Sequence, residues 1–223
     1  MKKVALQPLM PILLLAALLS SARAETIVLK SGNASVGSSD PLITVQGAAV
    51  TIDGSYAYAA DQPFQQALVV GRLDGSWCNP PVGSDWIGVS ANWACKRGGY
   101  QYDMSFDMPT AFVNPTLSLT ITCDNFFAFY LNGNLVGAKA ELGLFRSLWS
   151  YQTTNESFFT PGTNHVRVDA INRIDDVDTP TGIAFLAQIN YSPAAVPEPS
   201  SLLALLCGVG GLGGLRRKRQ QTT

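Results

Sequence analysis

Histidine is almost absent from this chain of 223 residues: His165 is the only one. A histidine-rich zinc centre is thereby excluded, and any Ser-His-Asp triad would have to use that single imidazole. Neither Ser147 nor Ser157 sits in sequence that looks like a nucleophile elbow. Period-two parity puts His165 on the strand face opposite Val166 and Val168, toward solvent. Cysteine is scarce as well. Cys78, Cys95, Cys123 and Cys207 show no C-x-x-C spacing, so a thiolate zinc site is not expected. No long segment carries the 3.6-residue periodicity of an amphipathic helix; residues 140–149 are the best helical candidate and are short. Basic residues are few between positions 25 and 192, where eight Lys or Arg face fifteen Asp or Glu, a net charge of −7. That balance argues against nucleic acid as a partner. It suits an extracellular module, or one that binds a cation.

What is present is most distinctive at the two ends. Lys2 and Lys3 form a positive start, residues 9–19 an apolar core, and Ala22-Arg23-Ala24 an A-x-A cleavage site. Residues 1–24 therefore read as a secretory signal peptide, with the mature chain expected to begin at Glu25. Near the other end, Val196-Pro197-Glu198-Pro199 precedes an apolar, glycine-rich run over residues 202–215, closed by Arg216-Arg217-Lys218-Arg219. The prolines separate the run from what precedes it, because they fix φ and cannot continue a helix. The uncharged run suits a bilayer, with the basic cluster on the cytoplasmic side. As a helix it would span about 21 Å against a hydrocarbon core of about 30 Å, short for a permanent anchor. Its glycines weaken the helix further. A transient anchor, cut near Pro197, fits better. This three-part tail, residues 193–223, resembles the PEP-CTERM sorting signal. The resemblance implies an exosortase-like processing enzyme as partner and transient insertion in the inner membrane. It also implies delivery to the outer surface or extracellular matrix of a Gram-negative bacterium that makes exopolysaccharide.

Residues 25–192 form one body large enough for a sizeable core. Strict alternation recurs there, the sign of half-buried antiparallel strands. Tyr100, Tyr102, Met104 and Phe106 form one apolar face; Leu117, Leu119 and Ile121 a second; Val166, Val168 and Ala170 a third; Ile183, Phe185, Ala187 and Ile189 the last. Asn132-Gly133 has the residues of a two-residue hairpin turn. Pro161-Gly162-Thr163-Asn164 and Pro180-Thr181-Gly182 read as turns into strands. Short strands and turns of this kind predict an all-β chain folded as a β-sandwich. The succession Ser84-Asp85-Trp86-Ile87, Gly99-Tyr100-x-Tyr102, Asp124-Asn125, Phe129-Tyr130-Leu131-Asn132-Gly133, Phe158-Phe159-x-Pro161-Gly162 and Pro180-Thr181-Gly182-Ile183 resembles galactose-binding-like jelly rolls. The resemblance covers about residues 65–191 and implies a jelly-roll sandwich with Trp86 inside the scaffold. Residues 25–62 are assigned to the opening strands.

Candidate sites are few. Export permits disulfides. Cys78 and Cys95 bracket an irregular stretch with Pro80, Pro81 and Gly83, and a bridge there would contribute about 3 kcal/mol. Cys123 ends an alternating run and reads as a small core hydrophobe. Asp103 and Asp107 share the polar face of one strand, about 13 Å apart, too far for a glycosidase pair. Asp175, Asp176 and Asp178, flanked by Asn172 and Thr179, are the best structural Ca²⁺ candidate, although without the glycine and distal glutamate of an EF-hand loop they read first as a solvated loop. Trp77 and Trp93, in loop-like sequence beside the cysteines, are the candidate platforms for a sugar ring.

The expectation is a non-enzymatic exported protein of the cell surface or exopolysaccharide matrix, with no required cofactor and extracellular polysaccharide as a candidate partner. A dedicated carbohydrate-binding module is the alternative, and a surface glycoside hydrolase the third reading. Fold resemblance alone does not choose among them.

Overall fold

Alternation along the strands becomes a sandwich whose inner faces are the apolar residues of the pattern. The computed structural model describes residues 23–73, 75–173 and 179–194. The cleavage-site residue Ala22, the tail motifs Val196-Pro197-Glu198-Pro199 and Arg216-Arg217-Lys218-Arg219, and the Ca²⁺ candidates Asp175, Asp176 and Asp178 lie outside the described residues. Ala24–Ser192 form one compact unit. Its strands are β1 (Glu25–Lys30), β2 (Ser39–Gly47), β3 (Val50–Ile52), β4 (Ser55–Ala57), β5 (Gln65–Val69), β6 (Ile87–Gly88), β7 (Ala94–Cys95) and β8 (Gly98–Met108). They continue with β9 (Phe112–Asp124), β10 (Phe126–Leu131), β11 (Asn134–Lys139), β12 (Trp149–Thr153), β13 (Gly162–Asn172), β14 (Thr179–Pro180) and β15 (Gly182–Pro193). The chain is all-β, as the alternation predicts.

Eleven strands join in one sheet that bends round on itself, in the order β11-β10-β13-β8-β2-β5-β6-β15-β9-β12, with β1 added beside β15. The register of β2 on β5 shifts between Ser39 and Thr44. The inward sides carry Tyr100, Tyr102, Met104, Leu117, Leu119, Ile121, Val166, Val168, Ile183, Phe185, Ala187 and Ile189, all buried in one core. Cys123 is buried among them, as expected, with its Sγ 3.2 Å from the Phe126 carbonyl. Residues 25–62 supply β1 to β4.

Turns fall where the sequence marks them. Asn132 and Gly133 both have positive φ, 49° and 79°, and join β10 to β11. Asn132 also donates from Nδ2 to the Phe158 carbonyl at 2.9 Å and to Asn164 Oδ1 at 2.7 Å. Asn164, fully buried, accepts from the Thr160 N–H at 2.9 Å and donates to the Thr160 and Gly162 carbonyls. Two turns far apart in sequence are thus fixed by one pair of amides. The helical reading of residues 140–149 is corrected. Only a single 3₁₀ turn, Leu144–Arg146, forms there, entered through Gly143 at φ 85°, and Trp149 already starts β12.

The outermost strands β11 and β12 approach each other through side chains, which nearly closes the sheet. The Tyr151 hydroxyl donates to the Ala138 carbonyl at 3.0 Å, and the Lys139 ammonium lies 4.5 Å above the Trp149 ring. Gly137 lets the Tyr151 ring lie directly on the backbone, since a Cβ there would meet ring carbons at 2.3 Å. The two ends of the sandwich are distinct. Glu25 pairs with Tyr191 at one end, near Phe112. The first residues of β8 and β10 and the last of β13 lie at the other.

The seam yields a test. Gly137→Ala should lower unfolding stability by about 1–3 kcal/mol, the usual cost of forcing an added group into a packed contact. Tyr151→Phe, which removes only the hydroxyl, should cost about 1 kcal/mol. Urea titration followed by tryptophan fluorescence reads both; a neutral Gly137→Ala would mean the seam is loosely packed.

Candidate functional site

The β3–β4 hairpin does not join the main sheet. Asp53 and Gly54, at φ 47° and 78°, turn it, and Val50 and Ile52 pack down on Phe126, Ala128 and Ile171 on the outer face of β10 and β13. Period two then sends Ala57 inward and Tyr56 and Tyr58 outward. The two tyrosines are 57% and 78% exposed, with ring centroids 5.0 Å apart and nearly perpendicular. The chain beyond them is tied to β8: the Gly99 N–H donates to the Tyr58 carbonyl at 2.7 Å, and the Ala60 N–H to the Gly99 carbonyl at 3.1 Å. Gly98, at φ 144°, passes so close to Ala60 that a Cβ would lie 2.7 Å from its Cα.

These elements bound a cleft of about 610 Å³ between the hairpin, Arg97–Gly98 and Asn172–Arg173, with Phe126 and Ile171 beneath. Buried amides hold both of its arginine-bearing segments. Asn172, 1% exposed, donates from Nδ2 to the Cys95 carbonyl at 3.0 Å and the Lys96 carbonyl at 3.3 Å, and accepts from Thr179 Oγ1 at 3.0 Å. Asn125, also buried, accepts the Arg173 N–H at 3.0 Å. The Arg173 guanidinium lies 5.3 Å from the Phe126 ring centroid. Among the described lining residues, the two that carry charge are both arginines.

The tryptophans chosen from the sequence are elsewhere. Trp77 is buried and stacks on the equally buried Trp86 at 4.1 Å and 30°. Its Nε1 donates to Asp124 Oδ2 at 3.0 Å, and Trp86 Nε1 donates to the Cys78 carbonyl at 3.2 Å. Trp93 packs half-buried on the same cluster with its Nε1 directed at the Val70 carbonyl, 3.2 Å away. Trp77 and Trp93 are therefore corrected from sugar platforms to parts of a second apolar cluster that gives the long β5–β8 connection its own core. Trp86 is inside the scaffold, as the resemblance implies.

The expected Cys78–Cys95 bridge is also corrected, because no disulfide joins the two residues. The start of the connection is held by the Cys78 N–H on the Phe145 carbonyl, and Cys95 Sγ lies 3.3 Å from the Trp93 carbonyl after β7 pairs with β14. His165 is exposed on β13, and its backbone N–H donates to Asn132 Oδ1, a structural role. Asp107 accepts from Thr163 Oγ1 at 2.7 Å and Asp103 from Gln101 Nε2 at 2.7 Å. The strand geometry keeps these two carboxylates four residues apart on one outer face, as expected. Among the described residues, no three His, Cys, Asp or Glu side chains gather as a metal would need.

Tyr56, Tyr58, Arg97 and Arg173 were missed by sequence reasoning. The signal was the Asp53-Gly54 turn followed by Ser55-Tyr56-Ala57-Tyr58-Ala59, aromatic residues alternating with alanine.

No protein-family model and no curated protein matches the chain. Among solved structures it is similar to part of a GH2 β-galacturonidase from Eisenbergiella tayi bound to galacturonate, with 12% identity over 73% of this chain and 24% of that one, TM-score 0.41. It is similar also to a Faecalibacterium prausnitzii β-glucuronidase (11% identity, 77% and 32% covered, TM-score 0.41). A β-D-mannosidase from Dictyoglomus thermophilum gives 19% identity, 66% and 16% covered, TM-score 0.35. The chain spans less than a third of the length of each. The likeness is too distant to bear on the site.

Two buried carboxyls set a pH dependence. Burial pushes Asp124 up to about 6, against the opposing hydrogen bonds from Trp77 and Asn125. Burial also pushes Asp169 up to about 6, although Arg167 Nε is 3.2 Å away. A carboxyl whose folded pKa is raised contributes stability that is fully present below its unfolded pKa, 3.8, and is lost as pH rises through 6. From pH 4 to 7 the loss should be about 2 kcal/mol from Asp124, part of the effect being already gone at pH 4. Asp169 should lose less, about 1–2 kcal/mol, because its partner Arg167 is 40% exposed and solvent screens the pair. Denaturant titrations at pH 4, 5.5 and 7 should show the decline, and Asp124→Asn should flatten it. An unchanged slope in that variant would assign the decline elsewhere.

Proposed function

We propose that this chain is an exported, non-catalytic protein of the cell surface or exopolysaccharide matrix, whose sandwich retains polysaccharide at the Tyr56–Tyr58 cleft. The observation that carries the binding part is the pair of solvent-facing tyrosines, rooted on a hairpin with its own apolar footing. Large aromatics left in water beside a cleft cost the fold solvation without contributing to its core. Their π-faces and hydroxyls suit the apolar faces and hydroxyl rims of sugar rings. The export part rests on the sequence: the signal-peptide pattern of residues 1–24 and the resemblance of residues 193–223 to a PEP-CTERM signal, which names an exosortase-like enzyme as the partner that cuts the tail. The order of landmarks from Trp86 to Ile183 supports a galactose-binding-like jelly roll as the finer description of the sandwich. Calcium at Asp175, Asp176 and Asp178 is a separate proposal from sequence. A cation held only by the native state must raise the melting temperature at millimolar Ca²⁺ by mass action.

Binding is expected without hydrolysis. In affinity gels containing host exopolysaccharide, the protein should be retarded, and Tyr56→Ala with Tyr58→Ala should abolish the retardation without moving the melting temperature by more than a degree or two. Release of reducing sugar that a single Asp or Glu substitution stops would overturn the non-catalytic reading. Intact mass of protein from the native host should show a start at Glu25 and loss of the tail near Pro197. Recovery with residues 202–219 attached would favour a permanent anchor.

A further inference from the structure

Resting on that reading of the cleft, we infer that its ligand is a coiled polysaccharide, in which successive sugar rings turn out of a common plane, and not a flat ribbon. The observation that carries this is the mutual setting of the two tyrosine rings. Tyr56 and Tyr58 both line the cleft, and both are more than half exposed. Their ring planes stand 83° apart with centroids 5.0 Å from each other, an edge-to-face contact. Two aromatic rings prefer that arrangement over a flat sandwich, because the positive edge of one meets the negative face of the other. The backbone beneath them is held as well. Tyr56 pairs with Thr51 across the hairpin, and the Tyr58 carbonyl accepts the Gly99 N–H at 2.7 Å. The pair therefore offers two surfaces at nearly a right angle, where a continuous platform would need them parallel.

A sugar ring meets an aromatic ring face to face, with its C–H groups over the π-cloud. Two linked sugar rings, one on each tyrosine, must then have planes nearly perpendicular to each other. Polysaccharides joined by equatorial bonds at opposite ends of each ring, as in cellulose and mannan, are ribbons. Each ring is turned over relative to the last, and the ring planes stay close to parallel. Such a chain can lay a ring flat on one tyrosine only. Chains joined through an axial bond, as in amylose, or through bonds not at opposite ends of the ring, as in laminarin, rotate each ring against the last. The cleft of about 610 Å³ lies within the range of sites that bury a small organic ligand, enough for a short run of rings.

The test uses the full chain in mild detergent and affinity gels of laminarin and soluble amylose, with hydroxyethylcellulose and glucomannan as ribbons. All four polymers are uncharged, so only shape and linkage differ. At least one coiled polymer should retard the protein about tenfold more strongly than either ribbon. Tyr56→Ala and Tyr58→Ala should each bring the coiled polymers down to the ribbon level, with melting temperatures unchanged, because either variant leaves a single plane. Tyr56→Phe and Tyr58→Phe, which keep both faces, should retain the preference. Ribbons that retard as strongly as the coiled polymers, or host exopolysaccharide that does so when neither coiled polymer does, would overturn the coiled assignment. The glycan-binding reading would then still stand, provided that the double alanine variant abolishes the retardation. Retardation by none of the four polymers nor by host exopolysaccharide, or retardation that the tyrosine substitutions leave untouched, would overturn both.

Discussion

The Asp124 carboxyl joins the parts of this molecule that sequence distance keeps apart. It sits where β9 passes into β10, with one oxygen taking the Trp77 Nε1 proton at 3.0 Å and the other the Asn125 amide at 2.5 Å. Through Trp77 it secures the stacked tryptophans, and through them the long β5–β8 connection. Through Asn125 it reaches the Arg173 backbone and so one wall of the cleft. Burial of a carboxyl is costly unless its oxygens are satisfied. Here both are, and the residual cost appears as the raised pKa. A single acidic side chain thus couples the packing of a loop to the shape of a candidate binding surface.

The tryptophan cluster also explains why the disulfide is absent. A connection of this length, irregular and rich in Gly and Pro, needs something to order it. Two devices could supply that order, the covalent staple between Cys78 and Cys95 expected from the sequence or apolar burial of Trp77, Trp86 and Trp93. Burial is what the chain uses. The two cysteines end up on separate neighbours, one beside Thr122 and one beside Thr181. Once the indoles are consumed in this way they are lost to ligand binding.

Strands with strict alternation were legible because one face of each is buried, and a one-residue slip would turn every apolar side chain outward. Asn132-Gly133 and the Pro161–Asn164 turn were legible because few residues tolerate those backbone angles. The cleft was not. Tyr56 and Tyr58 stand out only when the hairpin is known to lie on the outer face of β10 and β13, since only that placement shows Val50 and Ile52 buried and the tyrosines turned to solvent. The roles of Asn125 and Asn172 depend on contacts across 48 and 77 residues, which no local pattern records. The indoles were picked out by their loop-like sequence beside the cysteines, yet the size of an indole draws it into a core.

The position of the cleft follows from the same topology. β1 pairs antiparallel with β15, so Glu25 lies beside Tyr191, and the Tyr191 hydroxyl donates to Glu25 Oε2 at 2.6 Å. The two ends of the body therefore leave it side by side. β15 starts at Gly182, next to the Thr181 N–H that donates to the Trp93 carbonyl, in the connection that leads to Arg97. From Gly182 to Tyr191 the strand advances about 30 Å. The cleft consequently opens at the end of the sandwich away from Glu25 and Tyr191. The antiparallel pairing of β1 with β15, joined also by Thr26 to Asn190 and Tyr191 to Glu25, keeps residues 25 and 191 together at the end opposite the cleft.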